Sequence, residues 1–599
     1  MEQPTIRYTV RFLDPGRHVY DLTLTVEHLP AGLHQLSLPV WTPGSYEVRD
    51  FARNLFDLSA ASPEGPVPLT QVRKNVWSFT LQEAVERLEV RWRVWAFKLG
   101  VSASHLDATH AYWNGAQLFL LLDDYKELPV TVHIEAPPGW RVSTGLEPGG
   151  QEAFTYTAPN YDVLLDCPVE VGTHPAWSFE VDGKTHTVAV WGHGNEDQTR
   201  LVGDIERIVR AHKELFGSLP YEHYTFILHL TDKNLGGLEH LNSTTCGVNR
   251  FLFKPRKNYR RVLDLISHEF FHLWNVKRIR PEMLGPFDYN QEVYTHLLWA
   301  MEGFTDYYGS LALARSGLWT VKEYLNTLGD RIKAYEKLPG RFVQSLSDAS
   351  FETWQKFYKP DPDSPNRTIS YYLKGELVGL CLDLEIRRRT QGRASLDDVL
   401  RRLYERYAAK GIGFPEQVYQ ETVEEVGESS FADFFRSYID GTDPLPVDRY
   451  LETVGIQVQR GYEPEEKENG GGEGDQLSGS PPAWLGIETR LEDQTRLIVR
   501  TAYDPGPSAD LLYPEDEIVA LNGFRIQGAT ELADRLKRDF APGDTALVAL
   551  FRRGELLTVP VVLGAAPPTK VKLSPLPEPS EEQKARFAEW MKTPWPERL

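Results

Sequence analysis

His268 and His272 stand four residues apart, with Glu269 directly after the first, in Ser267-His268-Glu269-Phe270-Phe271-His272-Leu273. These residue types at this spacing are those of metal-assisted hydrolysis. If residues 261–274 are helical, side chains four apart lie about 40° from each other around the axis, so both imidazoles reach one ion. Glu269 is offset too far round to bind that ion in the same way. It is close enough to take a proton from a water held there, which is the work of a general base. Val262, Leu265 and Ile266 keep helical spacing, and no Gly or Pro interrupts the run before Pro281.

A third ligand lies thirty residues beyond His272. Residues 292–314 read as a second helix, in which Glu302 and Asp306 interrupt an apolar, aromatic run. A carboxylate among Leu297, Leu298, Met301 and Phe304 is costly to bury unless something positive meets it, and a divalent zinc does so. Two His, one Glu and a water complete a four-coordinate catalytic site with one exchangeable position. Asp306, one turn on, is placed to accept the second ring N–H of a ligand histidine and fix its tautomer.

Other residues are candidates for handling a substrate. A predicted strand over 224–230 leads into Leu235-Gly236-Gly237-Leu238-Glu239-His240. Gly236 and Gly237 allow a peptide backbone to come close and pair as an added strand. Glu239 can hold a protonated amine at a fixed distance from the ion, which confines cleavage to the terminal residue. Further on, Tyr371 and Tyr372 open a helix after a Pro/Asp-rich loop over 359–367. A tyrosine hydroxyl beside the ion can donate to the oxygen that becomes negative when water attacks a carbonyl. Spacing leaves both tyrosines open for that role.

The elements that must position these groups need several domains, because 599 residues exceed one core. Up to about residue 170, short alternating runs at 5–12, 19–26, 35–39, 76–81, 88–96 and 130–135 are broken by Pro-Gly pairs, the pattern of an N-terminal β-sandwich. The aromatic segment 41–46, Trp-Thr-Pro-Gly-Ser-Tyr, reads as packing around a turn, with a binding surface as the alternative. A helix is expected over 196–216, and mostly helices between 332 and 455. Residues 463–475 are acidic and glycine-rich, a flexible linker within 461–480. Strands expected at 484–487, 497–501, 517–521, 546–552 and 557–563, with a helix over 530–539, make a small module over 481–566. From 567 the chain is proline-rich, then Ser580-Glu581-Glu582-Gln583 is a capping box for a last helix whose Phe587 and Trp590 dock back.

The net charge of −20 argues against a nucleic-acid or anionic-membrane partner. Three scattered cysteines, Cys167, Cys246 and Cys381, form no disulfide framework and no Cys-rich metal site. The first residues lack the order of a secretory signal, and no apolar run approaches a membrane span, so a cytoplasmic address is expected.

The run His268 to His272, with Trp274-Asn275-Val276-Lys277-Arg278-Ile279-Arg280-Pro281, Glu302-Gly303-Phe304-Thr305 and Tyr307-Tyr308, resembles the glycyl aminopeptidase family of PDZ-containing gluzincin metallopeptidases. The resemblance extends from the segment at 41–46 to the C-terminal module. It implies a multidomain α+β chain: an N-terminal β-sandwich over 1–170, a thermolysin-like catalytic domain over 171–460 with a mostly helical second half, and a PDZ-like domain over 481–566. It implies one Zn2+ held by His268, His272 and Glu302, with Glu269 as base. Gly236-Gly237-Leu238-Glu239-His240 is similar to the G-x-M-E-N motif of the more distant aminopeptidase N family, which assigns the amine to Glu239; His240 replaces the Asn. Tyr372-Leu373-Lys374-Gly375 resembles that family's Y-x-K-G segment and favours Tyr372 as oxyanion donor. In the PDZ-like module the loop before Leu485-Gly486-Ile487 would receive a peptide C-terminus, and Glu515-Asp516 departs from the usual Gly-acidic turn.

The function expected is a zinc-dependent aminopeptidase acting on peptides with a free N-terminus, with small first residues (Gly or Ala) implied by the resemblance. One rival is a zinc endopeptidase in which Glu239 is only a loop residue. The other is a non-catalytic scaffold in which the PDZ-like module carries the function and the zinc is structural; Glu269 has no use in such a site.

Overall fold

Alternation in the N-terminal sequence becomes strand pairing around one core. In Val19–Leu29 the side chains of Tyr20, Leu22, Leu24 and Val26 are fully buried, while Asp21, Thr25 and Glu27 meet water. Leu88, Val90, Trp92 and Val94 do the same in Val85–Trp95, the antiparallel partner. Each such side chain contributes about 1.5–3 kcal/mol of apolar burial. Thr5–Asp14 pairs with Val19–Leu29 on one side and, in parallel, with Val130–Glu135 on the other, inside an eight-stranded sheet. Two four-stranded sheets accompany it, and residues from all three share one apolar core. Polar ends of the core aromatics are met by backbone: Tyr8 donates to Leu120 O at 2.7 Å and Trp92 to Leu118 O at 3.0 Å.

The computed structural model describes residues 3–234, 236–462, 477 and 479–596; the linker expected at 463–475 lies outside them. The chain forms two compact units. The first, Met1–Thr295 with Tyr308–Leu318 and Val399–Tyr419, contains the N-terminal sheets and a five-stranded mixed sheet. In that sheet Lys184–Gly192, His223–Thr231 and Ser243–Asn249 run parallel, and the short strand Gly236–Glu239 forms an edge, antiparallel to Ser243–Asn249. Helix Gln198–Phe216 starts on the side-chain cap of Asp197 and stops where Gly217 turns left-handed at φ +80°. Helix Arg256–Phe271 carries the His-Glu motif and buries Tyr259, Val262, Leu263, Ile266, Phe270 and Phe271, the stripe that helical spacing dictates.

The second unit is His296–Tyr307, Trp319–Asp398 and Gln420–Leu599. Its central helix, Tyr371–Arg389, opens on the cap of Ser370 and is buried on every side, with Leu377, Val378, Leu380, Leu382, Leu384 and Ile386 fully buried beside the charged Lys374, Glu376, Asp383, Glu385 and Arg387. Strands Ile487–Glu492, Arg496–Ala502, Glu517–Leu521, Thr545–Arg552 and Glu555–Val562, with helix Ala529–Asp539, enclose a separate small core. At the turn before Glu517–Leu521, Glu515 takes φ +73°, and both carboxylate oxygens of Asp516 meet Arg552, at 2.9 and 2.7 Å. The proline-rich tail is more structured than expected. Lys570–Pro575 pairs with Ile456–Gly461, so the two ends of the intervening segment meet, and the capping box of Ser580 and Gln583 opens helix Glu581–Met591. Among the described residues no helix is long and apolar enough to cross a membrane. All three cysteines are buried and unpaired with each other.

Candidate functional site

The motif helix ends at the site. His272, at its C-terminus, donates from Nδ1 to the backbone carbonyl of Asn275 at 2.8 Å, which leaves the Nε2 lone pair for a ligand. That Nε2 lies 3.0 Å from His268 Nε2. Asn275 O is brought back by a strained turn, for the β-branched Val276 sits at φ +140°. Such a conformation costs on the order of 1–3 kcal/mol and persists where neighbours over-determine it. The expectation that Asp306 fixes a ligand histidine is therefore corrected for His272, whose acceptor is main chain; Asp306 itself is half-buried in the first turn of Phe304–Arg315.

Helix Phe304–Arg315 passes close because of Gly309: a Cβ there would lie 3.2 Å from His268 Cα. Ser267 Oγ donates to Gly309 O at 2.8 Å and accepts from His212 Nε2 at 2.8 Å, fixing the same contact. The helix expected over 292–314 begins only at Leu298. Val293-Tyr294-Thr295 is a poor helical run, and the Thr295 hydroxyl is taken by Glu416. Glu302 falls in a π-helical turn, Trp299–Gly303, whose wider winding is a recurrent feature of functional sites. A carboxylate oxygen of Glu302 and one ring nitrogen each of His268 and His272 all lie within 4.8 Å of one another.

Strand Gly236–Glu239 supplies the acid side chains' neighbours. Gly237 has no room to spare, because a Cβ there would overlap the Glu269 carboxylate. That contact with the base is enough to require glycine there, and Gly236, at φ +79°, has open space beside it. Glu239 is 5% exposed, and its carboxylate, that of Glu269 and a nitrogen of His272 lie within 4.8 Å of one another. His240 does not point to the site. Its Nδ1 donates to Asp166 Oδ1 at 3.1 Å, while Lys277 Nζ reaches the same oxygen at 2.6 Å and Leu241 N–H donates to Oδ2 at 2.8 Å. Burial would raise the Asp166 carboxyl, but the ammonium of Lys277 and the ring of His240 hold it below the usual carboxylate value. Lys277 and Arg278 thus have structural work, Arg278 donating to the carbonyls of Leu241, Leu273 and Pro220.

Gly44 was missed as a site residue by sequence reasoning. It turns at φ +84° in the segment 41–46, and a Cβ there would lie 2.6 Å from Glu239 Oε1. The packing reading of that segment holds: Trp41 is buried and donates to Asp288 O at 3.1 Å, and the turn lies against Glu239. Of the two tyrosines, Tyr371 is fully buried and accepts from Thr353 Oγ1 at 3.0 Å; Tyr372 is half-buried.

Comparison with known proteins follows the same residues. A family model described as M61 glycyl aminopeptidase matches residues 261–378, and one for the Peptidase M61 N-terminal domain matches 7–173. A crystal structure described as an aminopeptidase N family protein from Idiomarina loihiensis is 29% identical, covering 98% of this chain and 100% of that one, with a TM-score of 0.89. Both models that match are those of the M61 glycyl aminopeptidase family. These matches support a hydrolase acting on peptides. An M1 zinc metallopeptidase from Deinococcus radiodurans is also similar, at 16% identity over 74% of this chain and 94% of that one, with a TM-score of 0.47. No curated protein matches the sequence.

Proposed function

We propose that this protein is a zinc-dependent aminopeptidase that removes N-terminal residues, small ones such as Gly or Ala, from peptides. The observation that carries the reading is the closeness of Glu239, Glu269 and His272: an amine-binding acid stands within one residue's reach of the base. The donor set fits zinc, with two imidazoles and one carboxylate gathered and His272 presenting an unprotonated Nε2. His268, His272 and Glu302 would hold one ion. When bound, zinc supplies Lewis-acid polarisation of the scissile carbonyl and lowers the pKa of the water it holds toward about 7.

The remaining steps belong to side chains. Glu239, with Gly236 beside it, holds the substrate's ammonium and sets its register. Glu269 takes the proton of the attacking water and passes it to the leaving amine. Tyr372 donates to the oxygen that gains charge. The C-terminal strands and helix are read as a PDZ-like module with a place for a peptide C-terminus ahead of Leu485-Gly486-Ile487. The charge of −20 supports a protein that acts without nucleic-acid or anionic-membrane partners.

The test compares a free Gly- or Ala-initiated peptide with its N-acetylated form. Nearly all activity should vanish on the blocked peptide. Equal rates would show that Glu239 is no anchor and would favour an endopeptidase.

A further inference from the structure

A second group of metal-ligating side chains lies in the N-terminal β region, on the hairpin formed by Ser104–Leu106 and His110–Trp113. It reads His105-Leu106-Asp107-Ala108-Thr109-His110, and one donor atom from each of His105, Asp107 and His110 lies within 4.8 Å of the others. His110 is fully buried, and its Nδ1 is spent on Glu170 Oε1 at 2.8 Å, while its Nε2 has no hydrogen-bond partner among the described residues. A buried nitrogen without a partner costs about 1–3 kcal/mol, so its lone pair needs another use. A carboxylate on one ring nitrogen with the other nitrogen left over is the arrangement that orients a metal-ligating histidine. Glu170 is itself fixed from behind, its Oε2 meeting His229 Nε2 at 2.9 Å.

The other two donors are equally prepared. His105 is 7% exposed, and its Nε2 lies 3.1 Å from Asp107 Oδ2, a separation that neighbouring ligands of one small cation also show. Asp107 keeps Oδ1 for the hairpin turn, accepting from the backbone N–H of Thr109 at 2.7 Å and of His110 at 3.1 Å. Packing holds both rings in place: Trp191 stacks on His110 with centroids 3.7 Å apart, and Phe97 on His105 at 5.0 Å.

We propose that His105, Asp107 and His110 form a second site for a divalent cation of the zinc class. Its role is structural. Two imidazoles and one carboxylate match that class, and the cation would lock the hairpin whose Tyr112 hydroxyl donates to Thr245 Oγ1 at 3.0 Å, in the strand that pairs with Glu239's.

Zinc per chain, measured by elemental analysis after dialysis against buffered zinc, tests this. The wild-type chain should hold two equivalents, His268→Ala/His272→Ala one, and His105→Gln/His110→Gln one with peptide hydrolysis retained. Should that last pair fail to fold, cobalt decides: the His268→Ala/His272→Ala chain loaded with Co2+ should show visible d–d bands that vanish on adding Asp107→Asn. A His268→Ala/His272→Ala chain that binds neither zinc nor cobalt overturns the second site and leaves the peptidase reading intact. A wild-type equivalent that responds only to His105 and His110 instead removes zinc from that reading.

Discussion

Glu269 is the residue on which turnover should depend without metal binding depending on it. Glu269→Gln keeps the shape against Gly237 and removes the base, so it should retain zinc by elemental analysis while kcat falls by about 10²–10⁴-fold in steady-state assays. Tyr372→Phe should lower kcat by about 10²–10³-fold if it is the oxyanion donor. Tyr371→Phe should leave kcat nearly unchanged and cost about 1 kcal/mol in urea unfolding, through the lost bond from Thr353. At Gly44 the effect is on binding. Gly44→Ala forces a methyl against Glu239 in a left-handed turn, so KM for unblocked peptides should rise about tenfold with a smaller change in kcat.

At the scale of elements, glycines set how closely the helices around the site approach. A Cβ on Gly303 would overlap the backbone of Gly375, and one on Gly375 would lie 2.6 Å from Trp299 O. The π-helical turn that carries Glu302 is thereby pressed onto the opening of helix Tyr371–Arg389, within which Lys374 is fully buried. Burial holds the Lys374 ammonium down to about 8 from 10.5, against a weaker upward pull from Asp443. Below about pH 8 both folded and unfolded chains carry the charge, and the fold bears its full desolvation cost, about 3 kcal/mol. Between about pH 8 and 10.5 the folded chain releases a proton that the unfolded chain keeps, so this contribution to stability rises with pH. Lys374→Met should therefore be more stable than the wild type near about pH 7, and its advantage should disappear above about pH 10.5, read from urea midpoints at the two pH values.

At the scale of the whole molecule, residues remote in sequence stabilise one another. Trp590 in the last helix is fully buried and donates to the Tyr307 hydroxyl at 2.8 Å, which in turn donates to Asp383 at 2.7 Å. Trp590→Ala should cost about 3–5 kcal/mol in urea unfolding, combining lost burial with an unpaired hydroxyl. Asp166, at the end of the N-terminal β region, similarly anchors His240 and Lys277 beside the site strand and the motif helix. Prolonged chelation should abolish hydrolysis, and added zinc should restore it; full activity in the metal-free chain would refute the metal-dependent reading.

Local chemistry was legible in the order of residues: the four-residue spacing of His268 and His272, the apolar stripe beneath them, the strands at 76–81 and 130–135, and the capping box at Ser580 all follow from periodicities that a few residues carry. The edges of the reading failed where distant partners intervene. Neither Glu416 holding Thr295 out of a helix nor Asn275 O serving His272 has a local signature. The pair Gly236-Gly237 announced a close approach, but not that the Glu269 carboxylate would fill the space beside Gly237, and nothing local marked Gly44 as lying against Glu239. Sequence fixes which side chains can ionise, donate or ligate, because that is covalent; which of them share a few ångströms is decided by packing between segments hundreds of residues apart, and only the folded chain specifies it.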